Sequence, residues 1–184
     1  MTSPLKKLFI LASALAMSAS AIATMTITSS DIAHGSFMGK THEFNGFGCS
    51  GDETSPQLTW SGAPEGTKAF AVFAYDPDAP TGSGWWHWQA INIPANVTSL
   101  PTGAGSASGE KLPTGSIQLA NDYGGIGFGG ACPPEGHGVH RYQFTVYALS
   151  TELDLPERAS SALTGYMVKA SSLGSATLEA LYKR

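Results

Sequence analysis

The stretch AFAVFAYDPDAPTGSGWWHWQAINI, residues 69–93, decides the fold of this chain. Ala69 to Tyr75 is an unbroken apolar run, which predicts a buried strand, and Gln89 to Ile93 resumes the composition of a strand. The segment between them holds two aspartates, two prolines and a histidine. Because binding groups are commonly placed on loops that a rigid scaffold carries, the stretch predicts a functional site at the connection of two strands.

The rest of the chain indicates a mainly β domain. Further strands are predicted at Met25–Thr28, Thr54–Trp60, Tyr142–Leu149 and Ala176–Tyr182. One helix is predicted late in the chain, capped by Ser160 or Ser161. Its predicted buried stripe consists of Leu163, Tyr166, Met167 and Ala170. Many strands, regular turns and one helix before a last strand are typical of a β-sandwich.

The first 23 residues have the three parts of a secretory signal peptide. Two lysines are followed by an apolar segment, Leu8 to Met17, which is too short to span a bilayer, and by the small-residue cleavage site Ala21-Ile22-Ala23. We therefore expect residues 1–23 to be removed and residues 24–184 to form one domain without a transmembrane segment. The expected location is the periplasm or the medium. A membrane anchor is the alternative interpretation of this segment.

The charge of the chain excludes one class of partner. Loss of Lys6 and Lys7 would reduce the 10 basic residues to 8, against 14 acidic ones, for a net charge of −6. Such a chain lacks the basic patch that neutralises phosphates along a nucleic acid. We therefore expect no nucleic-acid partner.

Cys49 and Cys132 are the two cysteines of the chain. In an oxidising compartment, two thiols most simply form one disulfide bond. A reactive or metal-binding thiol is the alternative, although neither cysteine has the C-x-x-C partner of a common metal site.

Polar side chains from two separate loops are candidates for one binding site. They are Asp76, Asp78, His87, His140 and Tyr142. An aspartate that accepts a hydrogen bond from one ring nitrogen of a histidine leaves the other nitrogen to face a ligand. Two histidines with an ordinary pKa of about 6.5 would supply positive charge, and a tyrosine hydroxyl would supply a donor. Such a set suits a small oxyanion, whereas the competing interpretation of His87 is a core histidine among tryptophans.

Catalysis and cofactor binding have weaker support. No serine lies in a G-x-S-x-G motif, and the cysteines look paired. The aspartates and histidines could be metal ligands, but no H-x-x-x-H or similar spacing marks them, so we predict neither a metal nor another cofactor. The tryptophans around His87 could form a platform for a sugar or choline, although such residues more often pack beneath a pocket.

Five motifs of the chain resemble, in the same order, those of the phosphatidylethanolamine-binding protein family, also called the Raf kinase inhibitor-like family, in its bacterial branch. They are Thr54-Ser55-Pro56-x-Leu58-x-Trp60, Asp76-Pro77-Asp78-Ala79-Pro80, Trp86-His87-Trp88, Pro133-Pro134 and Gly138-Val139-His140-Arg141-Tyr142. Each motif alone is a weak signal. Their ordered combination over essentially all of residues 24–184 is specific.

The resemblance implies a β-sandwich of two antiparallel sheets with a shallow pocket for phosphate-like anions. The residues that it places at the ligand are Asp76, His87, Pro133, His140 and Tyr142. We place three further residues in supporting positions, namely Asp78, Trp86 and Arg141. A cis peptide is implied at Ala79-Pro80. Cys132 stands where many relatives have a small glycine, so a bond to Cys49 would clamp the rim of the pocket.

The favoured hypothesis is a periplasmic protein that binds phosphate-type anions or phospholipid headgroups and modulates or inhibits a partner protein. The alternative is a weak hydrolase that uses Asp76 and His87 as an acid–base pair. A third possibility is a scaffold whose partner surface is its function. The kinase regulation known of eukaryotic members does not follow for an exported protein, which meets no such kinase in its compartment.

Overall fold

The computed structural model describes residues 24–156 and 158–184, and in these ranges the chain forms eight strands and one α-helix. They are β1 (Thr26–Thr28), β2 (Leu58–Ser61), β3 (Ala69–Asp76), β4 (Trp85–Pro94), β5 (Ser99–Leu100), β6 (Ile117–Gln118), β7 (His140–Leu149), α1 (Ser161–Ser171) and β8 (Ser172–Tyr182). A short 3₁₀ helix spans Lys40–His42. The predicted signal peptide, residues 1–23, lies outside the described residues. No helix in the described part of the chain has both the length and the apolar character needed to cross a membrane.

The strands form two antiparallel sheets. The larger sheet has the order β6-β4-β3-β7-β8, and the smaller one has the order β1-β2-β5. Side chains of both sheets join in one buried cluster that includes Trp60 of β2 and Phe70 of β3. The structure thus confirms the predicted class, a mainly β sandwich with one helix before the last strand.

The end of β3 and the starts of β4 and β7 lie side by side at one end of the larger sheet. The register places Asp76, the last residue of β3, opposite Trp85, the first residue of β4. On the other side of β3, Tyr75 lies opposite Gln143 of β7. Because both neighbours run antiparallel to β3, the end of β3 lies beside the starts of β4 and β7. This arrangement brings the two predicted site loops together.

The larger sheet is covered on both faces. Its inner face, toward the smaller sheet, carries alternate residues of β3 and β7, such as Val72 and Phe144, which are buried. Its outer face carries Phe73, which shares a second buried cluster with Val168 of α1 and with Leu153. Coverage on both faces explains the nearly continuous apolar sequence of β3. By the same alternation, Asp76 and the β7 residues His140 and Tyr142 fall on the inner face.

His87 is the extra residue of a β-bulge in β4. Trp86 and Trp88 pair with consecutive residues of β3, so His87 between them has no partner. A bulge changes the face toward which the following side chains point. Trp86 accordingly packs edge-on against Phe73 on the outer face, whereas Trp88 belongs to the core between the sheets. His87 lies on the inner side, with its ring centroid 5.1 Å from that of Tyr142.

The helix begins where the sequence predicts, but its predicted buried stripe is wrong. The Ser160 hydroxyl accepts a hydrogen bond from the backbone N–H of Leu163 and caps the helix. Leu163, Tyr166 and Ala170 are exposed, and Met167 is only partly buried. The side that faces the sheet instead presents three buried residues, Thr164, Gly165 and Val168. The small Gly165 lets the helix lie close to Trp86, since a Cβ there would lie 3.5 Å from the indole.

Several boundaries also differ from the prediction. The strand predicted to start at Thr54 begins only at Leu58, and the last strand begins at Ser172 rather than Ala176. The implied cis bond at Ala79-Pro80 is absent, because all peptide bonds in the described ranges are trans. The first two differences reflect pairing partners: a segment becomes a strand only where a neighbour offers its backbone, as β7 does along the whole of β8.

Candidate anion-binding site

A cavity of about 170 Å³ lies at the end of the larger sheet, where the end of β3 adjoins the starts of β4 and β7. Its polar wall consists of Asp76, His87, His140 and Tyr142. Its apolar wall and rim include Phe47, Trp85, Tyr123, Cys132, Pro133 and Pro134. The structure therefore brings together, around one cavity, the five residues that the sequence resemblance places at the ligand.

Asp76 and His140 form a buried pair in the floor of the cavity. Asp76 Oδ2 accepts a hydrogen bond from His140 Nδ1 at 2.7 Å, and the side chains are 3% and 1% exposed. The second oxygen, Oδ1, accepts from the backbone N–H of Asp78 at 2.8 Å. With both carboxylate oxygens engaged, the orientation of the His140 ring is fixed. The Asp76–His87 pair of the hydrolase hypothesis is not formed, since Asp76 bonds to His140.

His137 contacts the remaining nitrogen of His140, and the sequence interpretation missed this residue. His137 Nδ1 lies 2.7 Å from His140 Nε2, and the His137 side chain is exposed. It lies between Gly136 and Gly138, both with positive φ, which bend the loop back over the start of β7. A histidine three positions before His140, between two glycines, is the sequence signal that could have identified it.

His87 is held in a defined tautomer by the backbone. Its Nδ1 lies 2.7 Å from the carbonyl oxygen of Gly129. A carbonyl oxygen only accepts hydrogen bonds, so Nδ1 carries the proton and Nε2 of the neutral ring is an acceptor. Burial lowers the pKa of His87, against the opposing effects of the Gly129 carbonyl and Asp76. Burial thus works against the positive charge that the sequence interpretation assigned to His87.

Tyr142 contributes a hydroxyl that is buried without a partner. The side chain is 2% exposed, and burial, followed by the nearby Asp76, raises its pKa. The hydroxyl consequently keeps its proton and can donate. In the described ranges, seven buried side-chain polar atoms lack a hydrogen-bond partner, and three belong to residues that line this cavity. They are Trp85 Nε1, His87 Nε2 and the Tyr142 hydroxyl.

Asp78 and Arg141 support the site from outside the cavity lining. Arg141 donates from Nε and Nη2 to the two oxygens of Asp78, at 2.9 and 2.7 Å, and its backbone N–H also donates to that carboxylate. These bonds hold the loop after β3 against the start of β7 and lower the pKa of Asp78. Trp86, the third predicted supporting residue, lies on the outer face of the sheet, beside Tyr75.

The rim is clamped by the predicted disulfide bond, which the structure confirms. Cys49 and Cys132 are bonded, with their Cα atoms 6.1 Å apart. The bond ties the loop of Phe47 to the strand-like segment that carries Pro133. Phe47 is 71% exposed, and its ring lies 5.5 Å from that of Tyr123 at the mouth of the cavity.

A larger groove of about 590 Å³ runs beside the start of α1. Its carboxylate, Asp122, already accepts hydrogen bonds from the Trp86 backbone N–H and the Ser161 hydroxyl. None of the buried unpaired side-chain atoms in the described ranges belongs to a residue that lines it. Buried unpaired side-chain atoms thus occur on residues that line the smaller cavity and not on residues that line this groove.

The lining of the smaller cavity contains few ionisable side chains. None of the described lining residues is a lysine or arginine, and Asp76 is their single carboxylate. Histidine is thus the residue type of the lining that can carry a positive charge, and His140 already bonds to Asp76. In the described part of the chain, no group of three or more histidines, cysteines or acidic residues is arranged to hold a metal ion.

Comparisons with known proteins agree with this architecture. The family model described as phosphatidylethanolamine-binding protein matches residues 28–183. Two proteins of Escherichia coli K12 are similar over most of the chain. YbcL is 55% identical over 88% of this chain and 88% of its own length, and YbhB is 47% identical over 86% and 99%. The Mycobacterium tuberculosis protein named "Putative lipoprotein LppC" is 36% identical over 72% of this chain and 61% of its own length.

Solved structures extend the similarity to three dimensions. The crystal structure of E. coli YbcL, described as a new member of the mammalian PEBP family, has a TM-score of 0.86 to this chain at 54% identity. The match covers 88% of this chain and 99% of that one. The extent of these matches shows that the chain belongs to the phosphatidylethanolamine-binding protein family.

Proposed function

We propose that this protein binds a small phosphate-type anion, or the phospho-headgroup of a larger molecule, in the cavity between Asp76, His87, His140 and Tyr142. One observation carries the proposal: His87 and Tyr142 both line the cavity, and His87 Nε2 and the Tyr142 hydroxyl are buried without a hydrogen-bond partner. Leaving such an atom unpaired costs about 1–3 kcal/mol. A ligand that forms hydrogen bonds with both atoms removes that cost, which favours the binding of a polar group.

The size of the cavity supports a small ligand group. About 170 Å³ is well below the roughly 300–1,000 Å³ of a pocket that encloses a drug-sized molecule. One phosphoryl or carboxylate group fits such a space, while the remainder of the ligand extends past Phe47 and Pro134 at the rim. The name of the family supports a phosphoryl group as the part of the ligand that enters the cavity.

The surroundings of the cavity support binding without turnover. Covalent hydrolysis needs an activated nucleophile. The cysteine at the rim is in a disulfide bond, and the Thr81 hydroxyl already donates to the carbonyl of Gly84. The Tyr142 hydroxyl resists deprotonation, because burial raises its pKa. Since Asp76 bonds to His140, the proposed hydrolytic pair with His87 has no support, and we retain the binding function alone.

Export from the cytoplasm is part of the proposal. It is supported by the signal-peptide pattern of residues 1–23, by the disulfide bond, which persists in oxidising compartments, and by the lipoprotein name of the mycobacterial relative. The intact mass of the exported protein should correspond to a start near Thr24. A mass that includes Lys6 and Lys7 would instead indicate an anchored form.

Modulation of a partner protein is the second component of the proposal. The ring of Phe47 is 71% exposed and borders the mouth of the cavity. A partner that contacts this ring would also contact whatever extends from the cavity. Ligand binding and partner binding are therefore expected to be coupled at this rim.

Calorimetry with phosphoethanolamine and inorganic phosphate tests the binding function. We expect saturable one-to-one binding, chemical-shift changes at the ring nitrogens of His87 and His140, and no release of phosphate. His140→Gln should weaken binding, whereas His34→Gln, a change at an exposed histidine away from the cavity, should not. Absence of saturable binding, or steady phosphate release by the wild type, would overturn the proposal.

A further inference from the structure

We infer that the cavity selects oxyanions that still carry a proton, so that its preferred ligand is a phosphomonoester in the singly charged form rather than a sulfate or a phosphodiester. The inference depends on the proposed function, because it names the chemical class of ligand for the same cavity. It follows from the direction in which the backbone holds His87 and from the unpaired donors of two other lining residues, Tyr142 and Trp85.

The acceptor of the cavity is His87 Nε2. The Gly129 carbonyl holds the proton on Nδ1, at 2.7 Å, so Nε2 carries a lone pair. This nitrogen is buried and has no partner. The groups around the ring are the carboxylates of Asp76 and Asp122, the Gly130 carbonyl, and the edge-on rings of Tyr123 and Tyr142. Burial lowers the pKa of His87 against the opposing effects of the Gly129 carbonyl and the two carboxylates, which favours the neutral ring.

Two further residues of the lining supply donors. The Tyr142 hydroxyl is buried and unpaired, and it keeps its proton because burial and Asp76 raise its pKa. Trp85 Nε1 is a further buried and unpaired atom of the lining, and an indole nitrogen only donates. A ligand that satisfies all these atoms must accept at two of them and donate at His87. An oxyanion without a proton would direct an oxygen lone pair at the lone pair of Nε2.

The charge of the cavity favours a single negative charge. No lysine or arginine is among the described lining residues, and Asp76, the single carboxylate of the lining, is bonded to His140. A phosphomonoester loses its second proton at a pKa of about 6. Below that pH it has one negative charge and one O–H group. A sulfate ester and a phosphodiester have the same single charge but no proton to donate.

Methyl phosphate and methyl sulfate form a matched pair for the test, since at about pH 5 they have the same charge and number of heavy atoms and differ in one proton. Calorimetry on the full exported chain should show methyl phosphate binding at least about tenfold tighter. Phosphoethanolamine should likewise bind tighter than glycerophosphoethanolamine, which is a diester. The affinity for methyl phosphate should fall as the pH rises above about 6, where the ligand loses its proton.

His87→Phe removes the acceptor and keeps an aromatic ring in the core, so the preference for methyl phosphate should disappear in this variant. If the variant does not fold, the ¹⁵N resonance of His87 Nε2 in the wild type provides the readout. It should move to the position of a hydrogen-bonded acceptor with methyl phosphate and stay in place with methyl sulfate.

The possible outcomes separate this inference from the proposed function. Binding of methyl phosphate and methyl sulfate with equal affinity, or tighter binding of methyl sulfate, would overturn the inference and leave the anion-binding function standing. Failure of every probe to bind would overturn both.

Discussion

Asp76 and His140 lie 64 residues apart in the sequence, and their side chains meet at 2.7 Å with almost no exposure to solvent. Each belongs to the end of a different strand, and the antiparallel register of β3 and β7 brings those ends together. Removing one partner of a buried pair leaves the other uncompensated. The pair therefore joins the ends of two strands and also fixes the His140 ring in the cavity.

Asp76→Asn separates orientation from simple charge repulsion. The change removes a negative charge near the anion, but it also removes the carboxylate that fixes His140. We expect the affinity for phosphoethanolamine to fall about tenfold, the size of a hydrogen bond to a charged group. Glu110→Gln is the control, because it removes one negative charge at an exposed side chain outside the cavity lining. Tighter binding by Asp76→Asn would show that repulsion dominates.

Tyr142→Phe should change stability and affinity in opposite directions. The free protein buries this hydroxyl without a partner, so its removal should leave the free energy of unfolding unchanged or raise it by about 1 kcal/mol. Affinity for phosphoethanolamine should fall, because a donor is lost. Urea unfolding and calorimetry measure the two effects. In the control Tyr123→Phe, whose hydroxyl donates to the Gly130 carbonyl, stability should fall instead.

His137→Ala should increase affinity. His137 occupies His140 Nε2 in the free protein, at 2.7 Å, and a ligand that uses this nitrogen must displace it. Loss of a hydrogen bond with a net value of about 0.5–1.5 kcal/mol corresponds to roughly two- to tenfold tighter binding. His34→Ala, at an exposed histidine elsewhere, should have no effect. Weaker binding by His137→Ala would identify His137 as a ligand-binding residue.

The disulfide bond should contribute substantially to stability. Cys49 and Cys132 are 83 positions apart, and closure of a loop of this length corresponds to about 4 kcal/mol in the chain-entropy treatment. Urea unfolding with and without a reductant should show that loss. A variant with both cysteines replaced by serine should have the lower stability under both conditions. Labelling of the untreated, denatured protein should find no free thiol, and two labelled thiols would contradict the assignment.

Stability should decline on mild acidification because of His87. Burial lowers the pKa of this histidine in the folded state, whereas in the unfolded chain it is near 6.5. Below that pH the unfolded state binds more protons than the folded state, so the free energy of unfolding falls as the pH falls.

Other groups with shifted pKa values affect the free energy of unfolding in a different pH range. Asp78 and Glu43 have lowered pKa values, so their contributions are lost only below their ordinary values of 3.8 and 4.5. Glu53 has a raised pKa, because burial disfavours its charge, and its effect on stability has the opposite sign. The difference between two proteins that both contain Glu53 therefore isolates the contribution of His87 in the interval from about pH 6.5 to 5. Urea unfolding across this interval should give a shallower dependence in His87→Phe than in the wild type. An equal slope in both proteins would mean that His87 is not the responsible group.

The sequence alone determined where the strands that bury one or both faces lie along the chain. Ala69–Tyr75 is apolar throughout because β3 lies at the centre of the larger sheet, and the alternation after Tyr142 reflects one inner and one outer face. The pairing of Cys49 with Cys132 also followed from composition. The Ser160 cap correctly predicted where the helix begins, but the sequence pattern did not predict which side of the helix is buried. Small residues such as Gly165 make contact through close approach rather than hydrophobicity.

Only the tertiary structure decided how the site is arranged. Strict alternation along β4 would place Trp86 and Trp88 on one face and His87 on the other, but the bulge puts His87 on the inner side with Trp88. The sequence contains the histidine but not the backbone irregularity, because a bulge arises from how two strands pair. Likewise, Asp76 had two candidate histidines, and the register of β7 on β3 gave it His140. His87 instead donates to the Gly129 carbonyl. Hydrogen bonds between distant segments therefore fix which nitrogen of each ring remains for a ligand.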